Sequence, residues 1–193
     1  MQGGVEMALA DYKEHKPVIE TGRLILRPMY AGDIPSLKEW MTDPSIYAYW
    51  GRRPGTTDRN SAQLFEKKPK PSLSFHLGIA EKSSGKVIGE LWIYKIENCR
   101  MAAAAIRLSR TCQNKGYGRE ALWAMTDFCF RHTELQRIYA EADVRNIASW
   151  KMLEACGYRR EGMIRQGKLV STWCDYYIYG ILSKDWKQGI AGS

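Results

Sequence analysis

The spacing of hydrophobic residues changes several times along the chain, and each change predicts a different kind of element. In the middle of the chain, apolar side chains alternate with polar ones or form short runs over residues 73–80, 87–96 and 101–108. This spacing is typical of β-strands. Turn-forming residues separate the three segments at 82–85 and 97–99. An antiparallel meander of three strands is therefore predicted.

Helical spacing follows the meander. Within residues 119–131, Leu122, Met125 and Phe128 recur at intervals that place them on one face of a helix. Glu120 lies in the first turn, where the helix dipole favours a negative charge. This segment is therefore predicted to be a helix.

Three further helices are predicted, two of them from residues at their ends. Residues 34–41 follow Asp33, a residue that often caps a helix N-terminus. Residues 148–155 are followed by Gly157, which suits a C-terminal cap. A polar and apolar pattern over 57–65 indicates the third.

The order of the elements predicts the fold class. Residues 23–28 form an opening strand, and the unit 102–144 reads as strand, loop, helix and strand, a crossover that makes its two strands parallel. Segments 158–166 and 170–182 read as a hairpin that turns at 167–168. The prediction is an α+β domain with a mixed, mostly antiparallel sheet of about six or seven strands and flanking helices.

Length and composition favour a single domain. The chain has 193 residues, of which 45% are hydrophobic, enough for a substantial core. We expect a domain over residues 21–186, a flexible extension at 1–20 and a flexible tail at 187–193. There is no run of about 18 apolar residues and no apolar signal-peptide centre, so a cytoplasmic location is predicted. The five cysteines include no C-x-x-C pair, so reduced thiols and no metal site are expected.

Charge leaves the ligand class open. The net charge of +8 favours acidic ligands or nucleic acid. The basic residues are scattered, with the densest cluster at 67–70, and no nucleic-acid-binding motif accompanies them, so nucleic-acid binding is disfavoured. Tyr47, Tyr49 and Trp50, which precede Arg52 and Arg53, read equally well as core residues or as the wall of a substrate site.

The most informative segment is the loop 113–118, Gln-Asn-Lys-Gly-Tyr-Gly, between a strand and a helix. Gly116 and Gly118 allow a sharp turn and leave backbone N–H groups unobstructed. The helix dipole and the charges of Lys115 and Arg119 favour an anion at the same place. This loop is therefore predicted to bind phosphate groups.

Two kinds of phosphate loop fit poorly. A P-loop requires Lys and then Ser or Thr directly after the glycine, but Arg and Glu follow Gly118. A dinucleotide fingerprint is matched by Gly116, Gly118 and Ala121, with Glu141 or Asp143 about 20 residues further on. However, seven residues separate the strand from Gly116, and the chain has no room for a second nucleotide-binding half. The dinucleotide reading is therefore disfavoured.

The pattern Gln113-x-x-Gly116-x-Gly118 matches the signature Q/R-x-x-G-x-G/A, and the chain resembles the GNAT superfamily of acetyl-CoA-dependent N-acetyltransferases over residues 21–186. Further segments resemble the family's opening strand, its cofactor helix, its second cofactor element and the branch that acetylates the N-termini of ribosomal proteins. These segments are 23–28, 118–122, 146–149 with 153–158, and 160–162 with Trp173-x-Asp175.

The resemblance implies how acetyl-CoA is bound. The central strands would splay apart, and the backbone of Leu108 and Arg110 would pair with the pantetheine arm. The pyrophosphate would rest on the loop, and Asn146 and Ser149 would face the splay. The residues alone leave Lys115 and Arg119 open as solvated cations, Asn146 as a helix cap and Ser149 as a small packed residue. The implied loop contacts are Gln113, Asn114, Lys115, Gly116, Tyr117, Gly118 and Arg119.

The resemblance also implies direct transfer of an acetyl group to an amine, which requires a base. Glu141 matches the position of a catalytic glutamate in some relatives, so it is predicted to be the base. Glu90 and Asp175 remain alternatives, and each of the three could instead pair with an arginine.

The chain lacks the general acid that the resemblance leads one to expect. Many relatives carry a tyrosine where this chain has Leu153, which cannot donate a proton. Either Ser149 donates it or the thiolate leaves unassisted. Tyr139, Tyr158 and Tyr176 remain substitutes.

The predicted activity is thus an acetyl-CoA:amine N-acetyltransferase acting on a protein N-terminus or a small-molecule amine. A catalytically inactive acyl-CoA sensor of the same fold remains the main alternative, and a homodimer is left open. The net charge argues against basic ribosomal proteins and polyamines as acceptors unless the acceptor groove is locally acidic.

Overall fold

The computed structural model describes residue 12 and residues 16–50, 74–98 and 100–190, with side chains described up to Trp186. The predicted helix at 57–65, the arginines Arg52 and Arg53 and the basic cluster at 67–70 lie outside these residues. Among the described helices, none is both long enough and apolar enough to cross a membrane.

Eight strands form one mixed sheet, which confirms the predicted α+β fold. Their order is β1-β2-β3-β4-β5-β6-β8-β7, and every neighbouring pair is antiparallel except β5 and β6. The strands are β1 Ile19–Glu20, β2 Leu24–Arg27, β3 Phe75–Glu81, β4 Val87–Glu97, β5 Met101–Leu108, β6 Arg137–Asp143, β7 Arg159–Leu169 and β8 Thr172–Leu182.

The sheet has more strands than predicted because the short β1 lies in the segment expected to be a flexible extension. The hairpin turn between β7 and β8 lies at Val170 and Ser171 rather than at 167–168. The four described helices are α1 Ile34–Met41, α2 Tyr117–His132, α3 Ile147–Ala155 and α4 Ser183–Ile190. The last of them continues past Trp186, the predicted end of the domain.

The helix ends follow local chemistry, with one exception. Gly157 after α3 has a φ of +84°, as expected for a glycine C-terminal cap. Asp33 occupies the N-cap position of α1 but makes no capping hydrogen bond with its side chain. Its carboxylate instead accepts two hydrogen bonds of 2.8 Å from Arg27 and one of 2.8 Å from the Tyr30 N–H. Asp33 therefore fastens α1 to β2.

Helices cover both faces of the sheet. Along β2, Leu24 and Leu26 belong to the large core cluster under α2 and α3, whereas Ile25 packs on the smaller cluster under α1. Successive strand residues point to opposite faces, so this alternation places the helices in two layers. The core is most tightly buried at α2, where Leu122 and Met125 are almost completely inaccessible.

The pairing of β5 with β6 is short. It extends only from Met101 to Ala103 on β5 and from Arg137 to Tyr139 on β6. Beyond these residues the two strands diverge, as the predicted splay requires, and the gap opens a cleft at the centre of the sheet.

Candidate active site

The cleft between β5 and β6 has a volume of about 720 Å³ and contains most of the predicted site residues. Lys115 and Tyr117 belong to the same loop but lie outside its lining. The predicted residues that line the cleft are Leu108, Arg110, Gln113, Asn114, Gly116, Gly118, Arg119, Glu141, Asn146 and Ser149.

The two loop glycines are needed for different reasons. Gly116 has a φ of +81° and precedes α2, and Asn114 has a φ of +59°, so the loop turns through two left-handed residues. Gly118 lies inside the first turn of α2, where an added Cβ would lie 2.8 Å from the Met152 Sδ. Gly116 therefore allows the turn, and Gly118 allows α2 and α3 to approach each other.

Arg23 stabilises the conformation of the loop. It lies on the opposite side of the loop from the cleft. Its Nη1 donates a 3.0 Å hydrogen bond to the Lys115 carbonyl, and its Nε donates a 2.7 Å hydrogen bond to Glu120. The C=O and N–H of a trans peptide point in opposite directions. Because Arg23 holds the Lys115 carbonyl, the Gly116 N–H of the same peptide is directed away from Arg23.

Tyr117 takes part in the same support. The Arg23 guanidinium lies 4.5 Å from the centre of the Tyr117 ring, and the Tyr117 hydroxyl donates a 2.5 Å hydrogen bond to Glu81. The side chain of Tyr117 thus anchors the loop to β3, and its predicted contact with the cofactor stays a prediction.

Gln113 braces the loop against the end of β5. Its Nε2 donates a 3.1 Å hydrogen bond to the Leu108 carbonyl, one of the groups predicted to pair with pantetheine. The Ser109 N–H donates a 2.8 Å hydrogen bond to the Ile88 carbonyl, so the end of β5 is held on the β4 side. The exposed cations Arg110, Arg119 and Lys151 also line the cleft.

Asn146 caps α3, as one of the two readings of the sequence proposed. Its Oδ1 accepts a 3.3 Å hydrogen bond from the Ser149 N–H. Within the described part of the chain, neither the Asn146 Nδ2 nor the Ser149 hydroxyl has a hydrogen-bond partner. Both side chains line the cleft, so the amide of Asn146 can still donate to a ligand while its oxygen caps the helix.

Glu141 is the one of the three base candidates that lines the cleft. It is half-buried on β6 and makes no hydrogen bond or ion pair with any residue that the structure describes. Its charge acts on three neighbouring tyrosines: burial raises the pKa of Tyr94, Tyr139 and Tyr176, and the Glu141 carboxylate raises it further. Among the described residues, Glu141 is thus an unpaired carboxylate close to tyrosine side chains.

Glu90 is occupied by other residues. It is completely buried, accepts a 2.7 Å hydrogen bond from the His76 Nε2 and forms an ion pair with Arg107. Burial alone would raise the pKa of Glu90, but the His76 hydrogen bond and the Arg107 charge outweigh it and hold the pKa below its usual value. A carboxylate held in this way is a poor proton acceptor.

Asp175 has a structural contact as well. Its Oδ1 accepts a 2.7 Å hydrogen bond from the Gln166 N–H across the β7–β8 hairpin, and the side chain does not line the cleft. Of the tyrosines considered as acids, Tyr158 is buried and shares a 2.8 Å hydrogen bond with Thr126, away from the cleft. Tyr139 and Tyr176 are likewise absent from the lining.

Tyr94 lines the cleft and was missed by the sequence reasoning. It pairs with Ala103, which in turn pairs with Tyr139 at the last contact between β5 and β6. Residues paired across a sheet point to the same face, so Tyr94 lies on the same face as Glu141, two residues beyond Tyr139. The alternation along β4 is visible in the sequence, but the register that brings Tyr94 to this point is not.

Comparisons with known proteins agree with this geometry. Residues 23–159 match the family model described as the acetyltransferase (GNAT) domain. The "uncharacterized N-acetyltransferase YnaD" of Bacillus subtilis is 28% identical over 171 residues, which cover 87% of this chain and 98% of that protein.

Two solved structures share the fold. The spermidine N-acetyltransferase of Vibrio cholerae, in complex with CoA and spermine, has a TM-score of 0.74 at 22% identity and covers 86% of this chain and 99% of its own. The ribosomal-protein-S5-alanine acetyltransferase of Vibrio fischeri has a TM-score of 0.72 at 22% identity, with coverages of 89% and 99%. The chain therefore belongs to the GNAT family of N-acetyltransferases, enzymes that use acetyl-CoA as the acyl donor.

Proposed function

We propose that the protein transfers an acetyl group directly from acetyl-CoA to a primary amine, and that Glu141 is the general base. The observation that carries this proposal is the position of Glu141, an unpaired carboxylate on the cleft lining at the splay of β5 and β6. Glu90 and Asp175 have fixed partners and lie outside the lining, so Glu141 is the best placed of the three to accept a proton.

The chain's own residues suit the donor. Backbone N–H groups of the loop at Gly116 and the exposed cations Arg110 and Arg119 would bind the phosphates. The Asn146 amide would bind the pantetheine arm along the diverging edge of β5. Acetyl-CoA supplies the acyl group as a thioester, whose thiol is a tolerable leaving group.

Glu141 would accept the proton of the amine, and Tyr94 would donate a hydrogen bond. A primary amine has a pKa near 10 and an α-amino group one near 8, so most of the acceptor arrives protonated at neutral pH. Glu141 would accept this proton and leave the amine nucleophilic. The Tyr94 hydroxyl, like any tyrosine hydroxyl, is protonated at neutral pH, and burial raises its pKa further, so Tyr94 would donate a hydrogen bond in the cleft, which Leu153 cannot do.

The acceptor is either a protein N-terminus or a small-molecule amine. Leu153 is the observation that favours the alternative, an acyl-CoA sensor without catalytic activity. It is buried and lines the cleft at the position where the resemblance leads one to expect a proton donor.

Two measurements test the proposal. Isothermal titration with acetyl-CoA and with CoA should show saturable binding, and absence of binding at millimolar ligand would refute the proposed donor site. A thiol-release assay with N-terminal peptides, amino-acid amides and small amines should then show turnover. Tight binding without turnover for every acceptor would support the sensor instead.

A further inference from the structure

The acceptor end of the cleft has a composition that narrows the class of amine. Resting on the proposed function, we infer that the acceptor is a primary amine with a single positive charge and an aromatic or other apolar group, rather than a polyamine or a basic peptide. Three features of the described cleft residues lead to this inference: the number of free carboxylates, the aromatic wall, and the cations already packed against that wall.

The part of the cleft lining that the structure describes offers one free carboxylate. Asp143 is the second acidic residue on the described lining, but Arg145 neutralises it through hydrogen bonds of 2.9 Å from Nε to Oδ1 and 2.6 Å from Nη2 to Oδ2. These hydrogen bonds hold the pKa of Asp143 below its usual value despite its burial. Among the described lining residues, Glu141 is left as the one uncompensated negative charge, which matches one ammonium group.

An apolar and aromatic surface, here called the aromatic wall, forms part of the cleft lining. The residues that form it on the described lining are Ile46, Tyr49, Trp50, Tyr94, Leu169 and Val170. Tyr49 and Val170 are exposed, at 37% and 47%. An apolar ligand that covers these side chains removes apolar surface from water and so lowers the free energy. This surface therefore suits an aromatic or aliphatic group.

Two arginine guanidinium groups already lie near the aromatic rings of the cleft. The Arg107 guanidinium lies 5.4 Å from the centre of the Trp50 ring, and that of Arg145 lies 6.0 Å from the centre of the Tyr49 ring. A second ammonium group of a polyamine would lose water without a free carboxylate and would lie beside these guanidinium groups. The same cost applies to a basic side chain next to a peptide N-terminus.

The test compares acceptors at saturating acetyl-CoA with the 193-residue protein. We expect kcat/KM for 2-phenylethylamine to exceed that for n-butylamine and for spermidine by about tenfold or more, the effect of burying one ring. Equal or better use of spermidine would overturn the inference and leave the proposed function intact. If acetyl-CoA binds but no amine is acetylated, the proposed function is rejected and the inference with it.

Substitutions of two tryptophans test whether the preference for an aromatic amine arises in the cleft. Trp50→Leu should raise KM for 2-phenylethylamine more than for n-butylamine and leave the Kd for acetyl-CoA unchanged. Trp173→Leu, at a tryptophan that is 69% exposed and outside the lining, is the matched control and should change neither. An equal rise of KM for both amines in Trp50→Leu would contradict the proposed role of the ring.

A charge added to the rim tests the carboxylate count directly. Ser45 is exposed on the lining, so Ser45→Glu introduces a second carboxylate without disturbing the core. We expect kcat/KM for spermidine to increase several-fold relative to the neutral control Ser45→Gln, and the increase to shrink at high salt. If the two variants use spermidine equally, the number of carboxylates does not determine the acceptor.

Discussion

Glu141 and Glu90 are chemically identical side chains on neighbouring parts of one sheet, yet their surroundings differ. Glu90 has a hydrogen bond from His76 and an ion pair with Arg107, whereas Glu141 has tyrosines around it and no hydrogen-bond or ion-pair partner among the described residues. A carboxylate without a fixed partner is the one that can take up a proton from a substrate.

Replacement of Glu141 tests this role. Glu141→Gln should lower kcat/KM at neutral pH by about a hundredfold or more, the usual size of general-base effects. The loss should shrink as pH rises toward the amine pKa, because the free amine then needs no base. The measurement is the pH profile of kcat/KM, with Asp175→Asn as the control. An unchanged profile in Glu141→Gln would assign the base elsewhere.

Tyr94→Phe tests the hydroxyl at the splay. Because the pKa of Tyr94 is raised, the hydroxyl stays protonated through neutral pH, and the phenylalanine should lower kcat by roughly tenfold, equally at each pH from 7 to 9. Tyr139→Phe is the matched control beside Glu141, outside the lining, and should have a smaller effect. Equal rates for Tyr94→Phe and the unmodified protein would exclude a role for the hydroxyl.

At the level of elements, the glycine loop 113–118 depends on the β1–β2 turn, which is far away in the chain. Glu120 in the first turn of α2 accepts hydrogen bonds from Thr21 at 2.6 Å and from the Arg23 N–H at 2.9 Å, which fasten α2 to the β1–β2 turn. Arg23 then holds the Lys115 carbonyl. The glycines allow the loop conformation, and the opening strand selects it.

Arg23→Met therefore should weaken donor binding. The change keeps much of the side-chain length but removes the hydrogen bond to Lys115, so the Kd for CoA should rise by about tenfold, equivalent to one hydrogen bond. Titration calorimetry measures this, with Arg131→Met as the control on the far end of α2. A Kd that is unchanged in Arg23→Met would show that the loop keeps its conformation without Arg23.

The β7–β8 turn contains local strain. Val170 has a φ of +55°, a conformation that is unfavourable for a β-branched residue. Val170→Asn should raise the free energy of unfolding by about 1 kcal/mol, because asparagine tolerates this region. Urea denaturation measures the change. The same exchange at Val18, which is exposed and has no positive φ, should not stabilise the protein, and equal effects at both sites would contradict the interpretation.

At the level of the whole molecule, a buried charge cluster joins the sheet to the segment after α1. Arg107 pairs with Glu90 across β4 and β5 and lies among the rings of Trp40, Tyr47 and Trp92, the closest of them Tyr47 at 4.7 Å. The cluster connects the floor of the cleft with the layer that contains α1.

Glu90→Gln should destabilise the fold by about 3 kcal/mol, since it leaves Arg107 buried without a counter-charge. The double variant Glu90→Gln with Arg107→Met should recover part of this loss. Additive losses in the two single variants would show that the pair is not coupled. Glu39→Gln, at an exposed pair with Lys86, is the control and should change little.

The loss of folding stability caused by Glu90→Gln should also depend on pH. The folded-state pKa of Glu90 lies below its usual value of 4.5, so its ionisation contributes fully to stability above that pH. The contribution is lost as pH falls through the folded-state pKa. Denaturation of both proteins from pH 7 to pH 3 should show the two stabilities converging, and a constant difference would contradict the assignment.

Much of the fold and part of the site could be predicted from the sequence. The meander, the parallel crossover and the phosphate loop were predicted from alternation, helical spacing and two glycines. Glu141 was proposed as the base from the resemblance and from its position in mid-strand, whereas Tyr94 was missed. Pairing between residues such as Glu90 and Arg107 depends on strand register, which local patterns do not determine.

The sequence by itself determined the order of the elements and the site of the loop, because both depend on backbone sterics and on the period of apolar residues. Only the tertiary structure decided which charges cancel, which carboxylate stays free and which rings face the cleft. These outcomes require residues from distant strands and helices to be within a few ångströms of one another, and that proximity exists only once the sheet has formed and β5 and β6 have diverged.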